Sequence, residues 1–184
     1  MSKIIFGFVG QIASGKDVSQ KYIVEKYGAS SHRFSTMLRD ILNRLYVDIT
    51  RENLQNLSFD LRQRFGSDTL ARVITEDVKN DQHDVIIVEG IRRMADIIKL
   101  KDFPNFCLIS IDAQAEIRYN RLVKRSENVG DGDKTFAQFL ADGQAEAEKE
   151  IPAVMAAAQY QVNNDGTLDE LHQQLEKIIS AIKK

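Results

Sequence analysis

The chain has 184 residues, 43% of them apolar, which is enough for one well-filled core and short of what two ordinary domains need. Its 25 basic and 27 acidic side chains leave a formal charge of -2, so no global basic field exists to hold nucleic acid or an anionic membrane. A single cysteine, Cys107 in the apolar run FCLISI, excludes a disulfide within the chain and reads as a buried thiol. No run approaches the roughly 18 apolar residues of a membrane span and IIFGFV is too short for a signal segment, so a reducing cytoplasm is the expected setting.

Residues 3–9 (KIIFGFV) are β-branched and aromatic and run into Gly10, which predicts a buried strand ending at a loop. Helix formers from Asp17 to Tyr27 follow, with Gly28 as the stop. Residues 31–34 (SHRF) predict a short second strand. Ser35 or Thr36 then caps a helix whose apolar positions Leu38, Ile41, Leu42, Leu45 and Tyr46 recur at helical spacing. A further helix is predicted from about Thr50 to Phe65, stopped by Gly66, and Ser67 caps the next one through Asp77.

Residues 84–90 (DVIIVEG) and 106–112 (FCLISID) carry continuous apolar runs, the pattern of parallel strands covered on both faces. Helices are predicted at 93–101, from Ala113 to Arg125 and from Thr135. A short strand at Tyr160 to Val162 and a helix opened by Thr167 with Glu170 three residues on complete the chain. The glycine- and charge-rich segment 126–134 (SENVGDGDK) reads either as a mobile flap or as a solvated connection. This alternation predicts an α/β fold with a doubly wound sheet of five strands in one domain spanning 1–184.

The chemistry concentrates in GFVGQIASGKD, residues 7–17. Gly10, Gly15 and Lys16 fit the phosphate-binding loop G-x-x-x-x-G-K, but Asp17 stands where that motif carries Ser or Thr. Glycines let the chain turn backbone N–H groups inward around an anion, the helix that follows adds its positive end, and Lys16 supplies a charge for the β and γ phosphates. The donor-binding set is therefore Gly10, Gln11, Ile12, Ala13, Ser14, Gly15, Lys16, Asp17 and Val18. A G-x-G-x-x-G and an N-K-x-D are both missing, which leaves ATP as the expected donor. Asp17 reads as a Mg²⁺ ligand, direct or through water, or simply as an acid favoured at a helix start.

Glu89 ends the third strand, where ligands of open α/β sheets bind; it reads as a metal-shell acid, a base for an acceptor hydroxyl, or a strand-end acid in a turn. Arg92 follows and can face the same crevice. Arg118, Arg121 and Arg125 fall at i, i+3 and i+7 on one helix face, suited to spreading charge on a transferring phosphoryl group or else a solvated basic face. Arg39 is the candidate for a phosphate on the acceptor. His32, His83 and His172 show no zinc-ligand spacing.

In order and spacing, GQIASGKD, FSTMLRD, LRQRFGSDTLAR, VIIVEGIR, EIRYNRLVKR and AAAQYQVNNDGTLDEL resemble the nucleoside monophosphate kinase group of P-loop kinases. Archaeal adenylate-kinase-related and dephospho-CoA-kinase-like proteins are the nearest in pattern. The resemblance implies a P-loop three-layer α/β/α fold with a parallel sheet in order 2-3-1-4-5, an acceptor-binding helical insert at about 35–80 and a lid at about 118–150. It implies that Lys16 binds ATP phosphates, Arg39 and Arg92 face the acceptor, Arg118, Arg121 and Arg125 belong to the lid, and Asn164 lies near the adenine. The G-K-D ending also resembles phage-type deoxynucleotide kinases. The chain departs from the group in its acidic stretch ADGQAEAEKE, with Glu146, Glu148 and Glu150 where related lids carry arginines, and in Glu89 where many relatives have aspartate.

The expected activity is transfer of the ATP γ-phosphoryl group to a small nucleotide, a (deoxy)nucleoside monophosphate, with Lys16, Arg121, Arg125 and Glu89 as catalytic residues and Mg²⁺ near Asp17 and Glu89. Two alternatives stand beside it: phosphorylation of a hydroxyl, as on dephospho-CoA, with Glu89 as base, and a nucleotide-binding regulator with weak turnover. The expected partner is a small molecule, with neither nucleic acid nor membrane.

Overall fold

β1 (Ile4–Val9) is the middle strand of a five-stranded parallel sheet of order 2-3-1-4-5, flanked by β3 (Val85–Glu89) and β4 (Phe106–Asp112), with β2 (Ser30–Arg33) and β5 (Tyr160–Asn163) at the edges. These coordinates are a computed structural model that describes residues 3–125, 131–144 and 148–182. Helices cover both faces, as the continuous apolar strands require. Side chains of alternating parity go to opposite faces: Ile5, Val9, Ile86, Val88 and Leu108 join one core, and Phe6, Phe8, Ile87, Cys107 and Ile109 the other. Burial pushes the Cys107 thiol up to about 12, in keeping with the inert thiol expected.

The second core is closed by α1 (Lys16–Tyr27) and by α9 (Leu168–Ile182) through Leu171, Leu175, Ile178 and Ile179. The capping box that opens α9 forms as predicted: Glu170 N–H donates to Thr167 Oγ1 at 3.3 Å and Thr167 N–H to Glu170 Oε2 at 2.8 Å. The first core is closed by α2 (Phe34–Arg44), α4 (Thr69–Asn80), the short α5 (Met94–Ile97) and α8 (Ile151–Ala156). α3 (Arg51–Phe65), α6 (Ala115–Arg125) and α7 (Phe136–Asp142) make up the remaining helices among the described residues.

Several boundaries differ from the sequence-based expectations, each for a tertiary reason. β2 runs directly into α2 at Phe34, so neither Ser35 nor Thr36 caps it; Arg33 stands at that position in extended conformation, and Phe34 enters the core. α2 ends at Arg44, which leaves Leu45 60% and Tyr46 90% exposed instead of on a buried stripe. Asp68, not Ser67, precedes α4, and the Ser67 carbonyl accepts from Arg62 instead. The helix expected at 93–101 splits into α5 and a 3₁₀ turn over Leu100–Asp102.

The stretch between β2 and β3 was expected to be an insert throughout. α4, however, buries Leu70, Ala71, Ile74 and Val78 in the core under the sheet, whereas α3 packs on the same core only through the partly buried Leu54, Leu57 and Leu61, so α3 is its outer layer. Residues 126–130 of the anticipated flap and Glu146 lie outside the described residues. Among the described residues, no helix is long and apolar enough to cross a membrane.

Candidate functional site

Parallel register brings the carboxyl ends of all strands to one edge of the sheet, where Gly10 follows β1, Arg33 pairs with Glu89 across β2 and β3, and Asp112 pairs with Asn163 across β4 and β5. The loop from Gly10 to Gly15 lies at this edge and has no room for ordinary side chains. A Cβ on Gly10 would sit 2.2 Å from the Ile111 carbonyl oxygen, and Gly15 adopts φ 104 with Asn164 against it. Ala13 also has a positive φ, 59, a conformation unfavourable for a residue with a Cβ and typical of binding loops.

Lys16 opens α1 and folds back over the loop, where its Nζ donates to the carbonyls of Gly10 at 2.8 Å and Gln11 at 2.9 Å. Burial pulls its ammonium down from 10.5 to about 8; Asp17 and Glu148 partly oppose that, while Arg92 and Arg125 add to it. A desolvated cation held by neutral carbonyls beside inward-turned backbone is suited to receiving an anion.

Buried polar atoms at the loop support the same reading. Among the described residues, Ser14 Oγ, Asn164 Oδ1 and Arg121 Nη1 are buried without a hydrogen-bond partner. Each such atom costs about 1–3 kcal/mol unless water or a ligand meets it. Asn164 is fixed by its backbone N–H to Asp112 O at 2.7 Å, and its Nδ2 donates to Ser14 O at 2.8 Å. It therefore supports the phosphate loop from beneath β5, beside the loop's Gly15.

The arginines expected on one face of α6 have separate environments. Arg118 is 8% exposed, donating from Nε to Ala113 O at 2.9 Å and from Nη1 toward Ile12 O at 3.4 Å, with its guanidinium 5.3 Å from the Phe139 ring centroid. It braces the loop from behind. Arg121 Nη2 donates to Asn164 O at 2.8 Å. Arg125, the outermost, reaches back across the loop to Asp17 Oδ2 at 3.1 Å. The helix thus presents a gradient from a buried brace to an exposed charge and not a uniform basic stripe.

The two acids expected near a metal differ in availability. Asp17 stands exposed in the first turn of α1, and among the described residues Arg125 engages its Oδ2, so its other oxygen could serve a divalent cation. Glu89 is committed on both oxygens: Ser31 donates to Oε1, and Arg33 donates to Oε2 from Nε at 2.8 Å and from Nη2 at 2.5 Å. In this arrangement it is neither an open ligand nor a free base. Among the described residues, no group of three or more His, Cys, Asp or Glu is arranged to hold a metal. His32 and His83 instead flank Asp81, at 2.6 and 2.7 Å.

Arg92 lies just beyond β3 and pairs with Glu148 at 2.9 Å. Its backbone is held by Asp96, whose Oδ2 accepts from the N–H groups of Arg92 at 3.0 Å and Arg93 at 3.1 Å while Oδ1 accepts from Arg62 of α3 at 2.8 Å. Arg39 is exposed on α2 and takes no part in these contacts among the described residues. The Arg33–Glu89, Arg62–Asp96 and Arg92–Glu148 pairs were not anticipated from sequence, because each joins elements whose relative placement periodicity does not specify.

No protein-family model matches the chain. It is 28% identical over 183 residues to a UPF0200 protein of Methanoregula boonei, a match covering 98% of each chain. Shikimate kinase from Bacteroides thetaiotaomicron superposes with a TM-score of 0.63 at 14% identity, covering 98% of this chain and 99% of that one. Shikimate kinase from Acinetobacter baumannii, solved in complex with shikimate, gives 0.58 at 12% identity, covering 97% of this chain and 94% of that one. At these identities the solved structures establish the fold: a P-loop kinase-like α/β/α sandwich.

Proposed function

We propose that the chain is an ATP-dependent phosphotransferase that moves the γ-phosphoryl group to a small nucleotide acceptor, a (deoxy)nucleoside monophosphate. The observation that carries this reading is the Gly10–Lys16 loop, shaped for an anion and holding a desolvated Lys16 at the carboxyl edge of a kinase-like sheet. In this reading Gly10 to Val18 hold the donor phosphates, Asn164 and Arg118 brace the loop toward the base, and Arg121 and Arg125 spread charge on the group in transfer. Asp17 would hold Mg²⁺, which would supply neutralisation of the donor's phosphate charge. We place the acceptor between α2, α3 and the segment carrying Arg92, with Arg39 and Arg92 reading its phosphate, and the region from about 118 to 150 as the covering lid.

An acceptor phosphate oxygen forms the new bond to the γ phosphorus, and the bond from that phosphorus to the β–γ bridging oxygen breaks, releasing ADP. No proton need be removed from an ionised phosphate, so Glu89 can remain paired to Arg33. ADP release from Mg²⁺-ATP is measured against a panel of ribo- and deoxynucleoside monophosphates plus dephospho-CoA. Acceptor-dependent turnover that disappears in Lys16→Ala is expected, and silence across the panel sinks the proposal.

A second reading, phosphorylation of a hydroxyl, draws support from the fold shared with a shikimate kinase solved with shikimate. It requires a base, and Glu89 is engaged by Arg33 and Ser31, which favours the phosphate acceptor. Product analysis separates the two.

A further inference from the structure

The described end of the acidic segment that departs from the kinase pattern, residues 148–150, runs directly into α8. α8 anchors it through Ile151 and Val154, which are 3% and 0% exposed, and Ile151 N–H donates to Glu148 O at 3.1 Å. Glu150 Oε2 accepts from Met94 N–H at 3.1 Å, which seats the segment against the chain leaving β3. Glu148 is thereby directed at Arg92, with Oε1 at 2.9 Å from Nη1 and its side chain only 16% exposed. Glu148 and Arg92 both act electrostatically on Lys16. The carboxylate is therefore paired with the cation beyond β3 and within electrostatic range of Lys16.

Resting on the phosphotransferase reading above, we infer that Glu148 is a specificity-determining residue of the acceptor site: its carboxylate occupies, on Arg92, the position of the acceptor's own anionic group. A guanidinium exchanges a single-charged carboxylate for a doubly charged phosphate with a gain in charge-assisted hydrogen bonding. A neutral acceptor offers no such exchange and leaves the ion pair in place. The segment that departs from the basic lid pattern thus selects for a phosphorylated acceptor and keeps Arg92 neutralised without one. Asp17 and Arg125 stand in the same relation on the donor side, where an acid in the first turn of α1 neutralises a cation of α6.

The test is calorimetric titration of inorganic phosphate into the full chain, run with and without saturating Mg²⁺ and a non-hydrolysable ATP analogue that fills the phosphate loop. Glu148→Gln, with Glu148→Ala as a second variant, is expected to tighten phosphate about tenfold, on the order of one removed charge near a partly exposed guanidinium. Adding Arg92→Ala to either variant is expected to abolish that gain. Equal phosphate affinity in the wild type and both Glu148 variants, or a gain that survives Arg92→Ala, overturns the inference. Failure of the analogue to bind sinks the donor reading instead, and the titration without analogue still decides the role of Glu148.

Discussion

Asn164 lies so close against Gly15 that a Cβ on the glycine would sit 2.0 Å from the asparagine's amide nitrogen. That nitrogen donates to the carbonyl of Ser14, so the end of β5 and the phosphate loop form one rigid unit. Gly15→Ala meets both this contact and a φ of 104, which L side chains resist, and is expected to cost about 2–4 kcal/mol. Asn164→Ala alone is expected to cost about 1–2 kcal/mol through the lost hydrogen bond. In the double variant the clash is gone, so its cost falls below the sum of the singles. Urea unfolding of the four proteins measures this, and strict additivity contradicts the coupling.

Lys16 is expected to make Mg²⁺-ATP binding sensitive to alkaline pH. Its folded value of about 8 lies below the 10.5 of an unburied lysine because burial disfavours the charge. Between those values the unfolded chain holds more protons, so the ligand-free protein gains stability as pH rises from about 8 toward 10.5, and the penalty is fully present below 8. A bound phosphate favours the ammonium, so Mg²⁺-ATP affinity is expected to fall by up to about tenfold per pH unit above 8. Lys16→Arg stays protonated and is expected to bind with little pH dependence over the same range. A flat wild-type profile refutes the assignment.

The Asp17–Arg125 pair has side chains 66% and 40% exposed, so it contributes little to folding, about 0–1 kcal/mol. Asp17→Ala is expected to leave the unfolding midpoint nearly unchanged. It is expected to weaken Mg²⁺-ATP severalfold while metal-free ATP binds as well or better, because an acid beside a triphosphate repels it unless a cation intervenes. Equal effects with and without Mg²⁺ make Asp17 a helix-start residue only.

Asp96 ties α3 to the backbone of Arg92. Arg62 and Asp96 keep only 9% and 2% of their side-chain surface exposed, so Asp96→Ala leaves a buried guanidinium without its carboxylate, held only by neutral acceptors at Ser58 and Ser67, and is expected to cost about 3–5 kcal/mol. Asp96→Asn retains the shape and is expected to be milder. In whichever variant folds, the KM for the acceptor is expected to rise while that for ATP holds, since the N–H groups of Arg92 and Arg93 lose their anchor. Parallel losses for both substrates mark Asp96 as purely structural. Chemical denaturation and steady-state kinetics read the two effects.

The donor half of the site was legible from the chain because it is local. Gly10 to Lys16 form one turn between a strand and a helix, and the backbone demands at Gly10 and Gly15 are met by residue type within a few positions. The ion pairs at and beyond the end of β3 join Arg33 to Glu89 and Arg92 to Glu148, and the partners are distant in sequence. Glu89 looked open when read only as a strand end, but parallel register sets Arg33 of β2 directly beside it. Helix boundaries failed where packing overruled local signals: Ser35 can cap a helix, but Phe34 is drawn into the core and starts α2 before it.

The amino-acid sequence by itself determined the central strands β1, β3 and β4, because two-sided burial demands unbroken apolar runs, and it determined the tight loop after β1, because only glycine tolerates its positions 10 and 15. Tertiary structure alone decided the state of the charges around that loop. Arg118 became a brace, Arg92 acquired Glu148, Arg125 acquired Asp17 and Glu89 acquired Arg33. An ion's partner depends on which side chains the packed layers bring within a few ångströms, and residue spacing along one element carries no record of that.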